Sequence, residues 1–316
     1  MSQPAPSDVH VDAALSNISI AYKNSGYIAD QIFPTVSVNK QSDKYYIWTK
    51  DFWFRNHVQR RAPGDDVPWA GMEISNTSYY SELFHLGFPL FDEVEANADP
   101  AADPEKAASE WLADQFLLNH EAKWVADFFT TSVWDNDVTG GTNFTKWSDY
   151  IDSNPIDDIK TGKQTIQKNT GQVPNTLVIG QEVFDTLSEH PLLLEKYKYT
   201  SVPILDNAQI AAALKVDQIL VGSAIDNSAI EGATFSGEYM WGKNALLLHK
   251  NPAAPGLMVP QCGYTFVWNV YGGELSVRIE NHRIDLRKMN LLQGFHSFDQ
   301  KATATDLGYF FSAAVA

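Results

Sequence analysis

Carboxylates are the most abundant charged groups in this chain, 39 Asp and Glu against 23 Lys and Arg, with nine Trp and thirteen Tyr beside them. Acids among aromatic rings are the equipment of glycan hydrolysis, which needs two carboxyl groups close together with separated pKa values. Glu182 and Glu189 sit near glycine and helix-end signals, yet as helix-surface acids they need no catalytic role. The stretch Asp135-Asn-Asp-Val-Thr-Gly imitates the opening of a calcium loop, but its twelfth position is Lys146 where a bidentate Glu is required. The eight histidines are scattered, with no helical pair at metal spacing. Cys262 is the only cysteine, which excludes an intrachain disulfide, a thiolate zinc site and a redox pair, and it reads as a small buried apolar residue. No metalloprotease, serine-hydrolase, phosphate-loop or dinucleotide motif occurs. An acidic, carboxylate-dependent glycan hydrolase therefore stands as the competing class. The expectation is a protein that is not an enzyme, with no catalytic, metal or cofactor-binding residue.

A second chemistry is non-covalent. Lys50, Arg55, Arg60 and Arg61, with His57, form a basic patch interleaved with Phe52, Trp53 and Phe54. Residues 1–61 carry a net +2, whereas residues 92–137 hold twelve acids and two lysines, a net −10. A basic projection beside an acidic element is the charge pattern of one piece docking on another. Phe52, Trp53 and Phe54 are expected to anchor such a contact, with Arg55, Arg60 and Arg61 steered toward Glu110, Asp114 and Glu121. Single-stranded nucleic acid also uses interleaved Arg and aromatics, but a chain of net charge −16 surrounds the patch with a repelling field.

The elements that must position these groups can be read in part. Asp103-Pro-Glu is a helix start, and no glycine or proline follows until Gly140, so one long helix is expected over 103–132. Its apolar residues fall on two nearly opposite stripes: Trp111, Leu118, Ala122, Val125 and Phe129 on one, Leu117, Trp124 and Phe128 on the other. One core cannot use both, so the helix is either sandwiched between two layers or a strut between its own domain and a neighbour. Upstream, residues 1–12 are polar, a short apolar series follows at Leu15, Ile18, Ile20 and Tyr22, and Tyr27 to Val38 reads as an extended arm interrupted by Pro34. About forty residues cannot bury enough surface alone, so the arm must find a partner elsewhere. Lys44 to Arg55 and Ile74 to Phe91 are strand-like runs around a Pro/Gly/Asp-rich interval at 62–68, the pattern of a long hairpin with an irregular tip. Downstream, helices at 156–169, 181–189, 191–198 and 208–214 alternate with strands at 176–179, 218–221 and 245–249, which indicates a compact α/β module. The remainder reads as strand, at 264–271 and around Leu275, Val277, Ile279, Ile284 and Leu286, before an apolar tail from Leu307 to Val315.

At 44% hydrophobic and 12% aromatic over 316 residues, the chain is globular and large enough for a sizeable core. The start lacks a basic region followed by an apolar run, and no segment has about 18 consecutive apolar residues, so neither secretion nor a membrane partner is expected.

Several ordered fragments resemble the major capsid proteins of tailed double-stranded-DNA bacteriophages. They are Tyr27-Ile-Ala-Asp-Gln-Ile-Phe-Pro, Arg61-Ala-Pro-Gly, Ala96-Asn-Ala-Asp-Pro, Leu117-Leu-Asn-His-Glu, Asn175-Thr-Leu-Val-Ile-Gly, Ile219-Leu-Val-Gly, Trp241-Gly-Lys-Asn-Ala and Ala302-Thr-Ala-Thr-Asp-Leu-Gly-Tyr. The resemblance implies an α+β fold with an N-terminal arm (1–39), an extended β-hairpin loop (40–91), a peripheral domain with a long spine helix (92–171, helix 103–132), an axial α/β domain (172–260) and C-terminal strands of the peripheral domain (261–316). It further implies a structural head-shell protein that self-assembles through pentamers and hexamers around phage double-stranded DNA. Its expected location is the virion capsid, after synthesis in the host cytoplasm. Separate scaffolding, portal and decoration proteins are the other implied partners. Relatives with a fused scaffolding segment are longer at the N-terminus, so the scaffold is expected to be separate or unnecessary. A tail or decoration component would share the acidity and aromatics without explaining the helix and the two-domain order.

Overall fold

The computed structural model describes residues 24, 26–48, 50–97, 104–197, 205–230, 232–251, 256, 259–271 and 277–316. The expected cap Asp103, the apolar series 15–22 and Leu275 lie outside them. Two five-stranded sheets and one long helix make the frame.

The long helix is shorter at its C-terminal end than the sequence suggests. In chain order it is α4, Pro104–Phe128, preceded by α1 (Ala29–Ile32), α2 (Lys50–Trp53) and α3 (Asp92–Asn97). Residues 130–134 are Thr, Thr, Ser, Val and Trp, types that compete with helix through side-chain bonding or lost rotamer freedom. The Trp134 ring N–H donates to the Phe128 carbonyl at 2.8 Å and closes the helix end. The expected stripes are buried only in part: Trp124 and Phe128 of the second and Phe129 of the first are buried, whereas Leu117 and Leu118 are half-buried. Burial falls at Ala108, Leu112, Phe116, His120, Trp124 and Phe128. Steps of four residues rotate the buried line by about 40° each, so it winds roughly halfway around the helix. Ala108 and Leu112 therefore pack with Leu292, Phe88 and Ile279 in a small core, whereas Trp124 and Phe128 enter the main one. The helix runs between two cores of its own chain, and Trp111 stays substantially exposed.

The first sheet is organised on a strand the sequence did not reveal, β13 (Met289–Ala302). It pairs antiparallel with β4 (Glu82–Phe91), β12 (Arg278–Ile284) and β11 (Gly263–Trp268). Gly294 lets α4 approach, since a Cβ there would lie 2.4 Å from the Phe116 ring. β1 (Thr35–Val38) adds to β11 in parallel. This corrects the expected arm: from Tyr27 to Val38 the chain is a helical turn and a strand on its own body, with Ile32 and Phe33 fully buried. The Phe33 ring meets Trp124 and Phe128 at centroid distances of 5.3 and 5.0 Å.

The second sheet has the order β5 (Asn136–Thr139), β14 (Gly308–Ser312), β10 (Ala245–Leu248), β6 (Thr176–Gly180), β7 (Gln218–Gly222). β6 and β10 are buried at every position. Around them lie α5 (Pro155–Thr170), α6 (Gln181–Ser188), α7 (Pro191–Tyr197) and α8 (Asn207–Leu214). Local signals set these helices. Asn154 caps α5, Gly171 ends it at φ 69°, and Asp206 with Gln209 forms a capping box on α8. Here too a boundary shifts: β14 and the buried Ala314 and Val315 belong to the α/β unit, not with the C-terminal strands of the first sheet, and so does β5.

The expected hairpin forms between β2 (Ser42–Trp48) and β3 (Ile74–Tyr80), but β4 leaves it to pair with β13. Tyr79 and Tyr45 stack on Phe266 at 4.5 and 5.6 Å and fix its base to the first sheet. A second two-stranded pair, β8 (Ile225–Asn227) with β9 (Gly237–Tyr239), follows β7. Among the described residues, no helix is long and apolar enough to cross a membrane.

Candidate assembly surfaces

Every residue from 53 to 78 is exposed, the longest such run among the described residues, covering the finger beyond β2 and the start of β3. The root of the finger is held to the body. The Lys50 ammonium pairs with Asp306 at 2.9 Å, and that hydrogen bond lifts its pKa. Phe54 lies against Gly171, where an added Cβ would come 3.1 Å from the ring. The expected strand over this aromatic segment ends at Trp48, and Phe52 and Trp53 lie on the single turn α2 instead. Phe52 stacks on His57 at 5.9 Å, while more than half of the Trp53 and Phe54 surfaces face solvent. Arg55, Arg60 and Arg61 are exposed, and the last two share a shallow recess with Asp65 and Asp66. A residue the sequence reading missed is the most prominent apolar group of the finger: Trp69 is 98% exposed, with Val58, Val67 and Met72 also uncovered. An isolated Trp in a proline- and glycine-marked stretch has no periodic signal; the cost of leaving it in water is the signal.

The three acids expected to receive the arginines are placed differently from one another. Glu110 is on the exposed surface of α4. Asp114 is half-buried and accepts from the Tyr27 hydroxyl at 3.4 Å. Glu121 is unavailable to a partner: it is 1% exposed and its carboxylate accepts from the Ile28 and Ala29 amides (3.0 and 2.8 Å) and from the Trp241 ring N–H (2.7 Å). Burial raises its pKa against the pull of those three donors. The winding of the buried line carries this position inward, where it ties the N-terminal segment, α4 and the α/β unit together. Beside it, His120 Nδ1 meets Asp30 at 3.1 Å, and Gln300 Nε2 donates to His120 Nε2 at 2.9 Å. Burial, with His296 nearby, pushes His120 down to about 3, and burial pushes His296 to about 4 and raises Asp30 to about 6. A further acidic and apolar face lies on α3, the start of α4 and β4, where Glu93, Glu95, Phe91, Val94 and Trp111 are exposed. Asp92 at its edge is held by Arg283.

Among the described residues no group of three His, Cys, Asp or Glu side chains is arranged to hold a metal. The geometry offers surfaces for contact.

No family model matches the sequence. The architecture matches that of the cyanophage P-SCSP1u capsid with a TM-score of 0.62 at 12% identity, covering 100% of this chain and 96% of that one. It matches a phage-related protein from Bordetella bronchiseptica with a TM-score of 0.70 at 20% identity, covering 96% and 97%. The fold is thus that of tailed-phage capsid proteins. At the level of sequence, the chain is 26% identical over 311 residues to the major capsid protein of Burkholderia phage BcepMu, covering 96% of both chains, and 27% identical over 314 residues to that of Pseudomonas phage JBD67, covering 97% of both. It is a relative of these phage major capsid proteins along its whole length.

Proposed function

We propose that this chain is the structural major capsid protein of a phage head. It is a shell-building, non-enzymatic protein that assembles with copies of itself and resides in the virion capsid. The observation that carries this is full-length kinship with phage major capsid proteins, joined to a finger of 26 consecutive exposed residues carrying Trp53, Phe54 and Trp69. A closed shell needs large heterologous contacts, and projecting elements provide area that a compact globule cannot. We further infer pentamers and hexamers, an outer role for the first sheet and an axial one for the α/β unit, and synthesis in host cytoplasm. Packaged double-stranded DNA inside the shell, with portal and decoration proteins, completes the inferred partners.

Phe52, Trp53, Phe54, Arg55, Arg60 and Arg61 are assigned to the contact between copies, with Trp69 added as an anchor. The exposed Glu93, Glu95 and Glu110 provide the opposing charge. Surface ion pairs are worth only about 0–1 kcal/mol each, so the buried aromatics supply the stability and the charges the orientation. Electron microscopy of the protein expressed alone tests this reading. Rings, sheets or shells are expected; a monomer that persists at high concentration, with hydrolytic activity on glycans, would overturn it.

A further inference from the structure

Strand β7 is the outer strand of the α/β sheet and, among the described residues, pairs with β6 alone. Its two ends carry opposite surfaces. Before it, α8 stops at Leu214 and Lys215 turns left-handed at φ 56°. Lys163 of α5 donates to the carbonyls of Leu214, at 2.8 Å, and Lys215, and Lys196 of α7 donates to that of Ala213 at 3.0 Å. The Lys163 and Lys196 ammonium groups thus gather at the carboxyl end of a helix, where its dipole favours cations, and the charge of the exposed Lys215 bears on Lys163. Asp217 is the one acid acting on Lys163 there.

Beyond the other end of β7 projects the β8–β9 hairpin. It is braced from within: Asn227 Oδ1 accepts from the Ala229 and Ser236 amides at 3.2 and 3.0 Å, and the Ser228 amide donates to the Ser236 carbonyl at 3.0 Å. The bracing leaves Ile230 85% and Phe235 65% exposed, with Ile225 and Tyr239 also uncovered. Residues 224–242 contain Asp226, Glu231 and Glu238 and no Lys or Arg. A pre-formed, apolar, acidic tip therefore sits at one end of an edge strand and a lysine cluster at the other, separated by about 17 Å of strand.

We propose that the β8–β9 hairpin of one copy docks on the Lys163, Lys196 and Lys215 cluster of the next. Asp226 and Glu238 would meet the ammonium groups, and Ile230 and Phe235 would lie on the lysine stems, which are apolar along their length. This rests on the shell reading above and adds which surfaces of the α/β unit meet. Because the two surfaces differ and lie at opposite ends, the contact is head-to-tail, and each copy keeps one of each free for a further copy. A repeated heterologous contact of this kind closes into a ring when the rotation from copy to copy closes, as the shell reading requires.

Charge reversal in the full chain tests it, read by sedimentation velocity and electron microscopy with circular dichroism on the unassembled fraction. Glu238→Lys and Lys215→Glu are each expected to raise the concentration needed for assembly about tenfold, and the double variant to return most of that loss. Ile230→Asp, at a fully projecting position, is expected to weaken assembly without changing the dichroism of the monomer. Folded single variants that assemble like the unaltered chain, or a double variant no better than either single one, would overturn the docking while leaving the shell reading standing. An unaltered chain that never assembles would remove both.

Discussion

Glu121 receives three donors from two other parts of the chain, so its removal strands the Ile28 and Ala29 amides and the Trp241 ring N–H in the core. Glu121→Ala is expected to cost about 3 kcal/mol, seen as a lower midpoint in urea unfolding of the monomer. The neighbouring histidines give a pH dependence whose sign follows from their shifts. His120 and His296 have folded pKa values near 3 and 4, below the ordinary 6.5, so the unfolded chain takes up their protons first. Their contribution is complete above pH 6.5 and is lost as pH falls toward 4 and then 3. Asp30, raised to about 6, works in the opposite direction: its contribution is present at low pH and is lost as pH rises through 6. The histidines therefore contribute a loss of stability as pH falls below about 6.5, against which Asp30 and Glu121, both raised by burial, act. His296→Phe, surrounded by the rings of Phe116, His120 and Phe298, is expected to flatten that slope in thermal unfolding measured from pH 7 to 4.

At the scale of elements, legibility in the sequence tracked whether the deciding forces were local. α5 was readable because Gly171 marks its end, and α8 because of its alanine-rich run, although its cap is Asp206 and Asn207 is already helical. β13 was not readable: His296, Ser297, Asp299 and Gln300 are polar but buried, so the strand shows no alternation of polar and apolar residues. α4 was found, but only the C-terminal part of its buried face, Trp124 and Phe128, was legible, because a helix serving two cores has no single stripe. The same rotation hid Glu121, which looked like a surface acid. The first basic and aromatic cluster was legible from composition, whereas Trp69 needed its exposure to be seen. Close packing of α4 on β13 makes a prediction of its own. Gly294→Val places a side chain in the space of the Phe116 ring and is expected to destabilise the monomer by about 1–3 kcal/mol in urea unfolding.

For the molecule as a whole, the described N-terminal segment from Tyr27 to Val38 packs on its own chain, so the finger and the β8–β9 hairpin are the parts proposed to meet sister copies. The root of the finger is tied by Lys50 to Asp306 and by Phe54 at Gly171, so it projects from a fixed base. Replacing Arg55, Arg60 and Arg61 together by Glu is expected to abolish assembly while leaving the monomer's unfolding midpoint unchanged, since all three are exposed. In the arginine form, assembly is expected to slow as salt rises, because exposed charges steer encounter more than they hold the product.

The most direct measurement is hydrogen exchange of the finger amides, residues 54–73, compared between assembled particles and dissociated subunits. The account predicts rapid exchange in the free subunit and strong protection in the particle, centred on Trp69. Equal, rapid exchange in both states would mean that the finger meets no neighbour, and would contradict the claim that sister copies complete this chain.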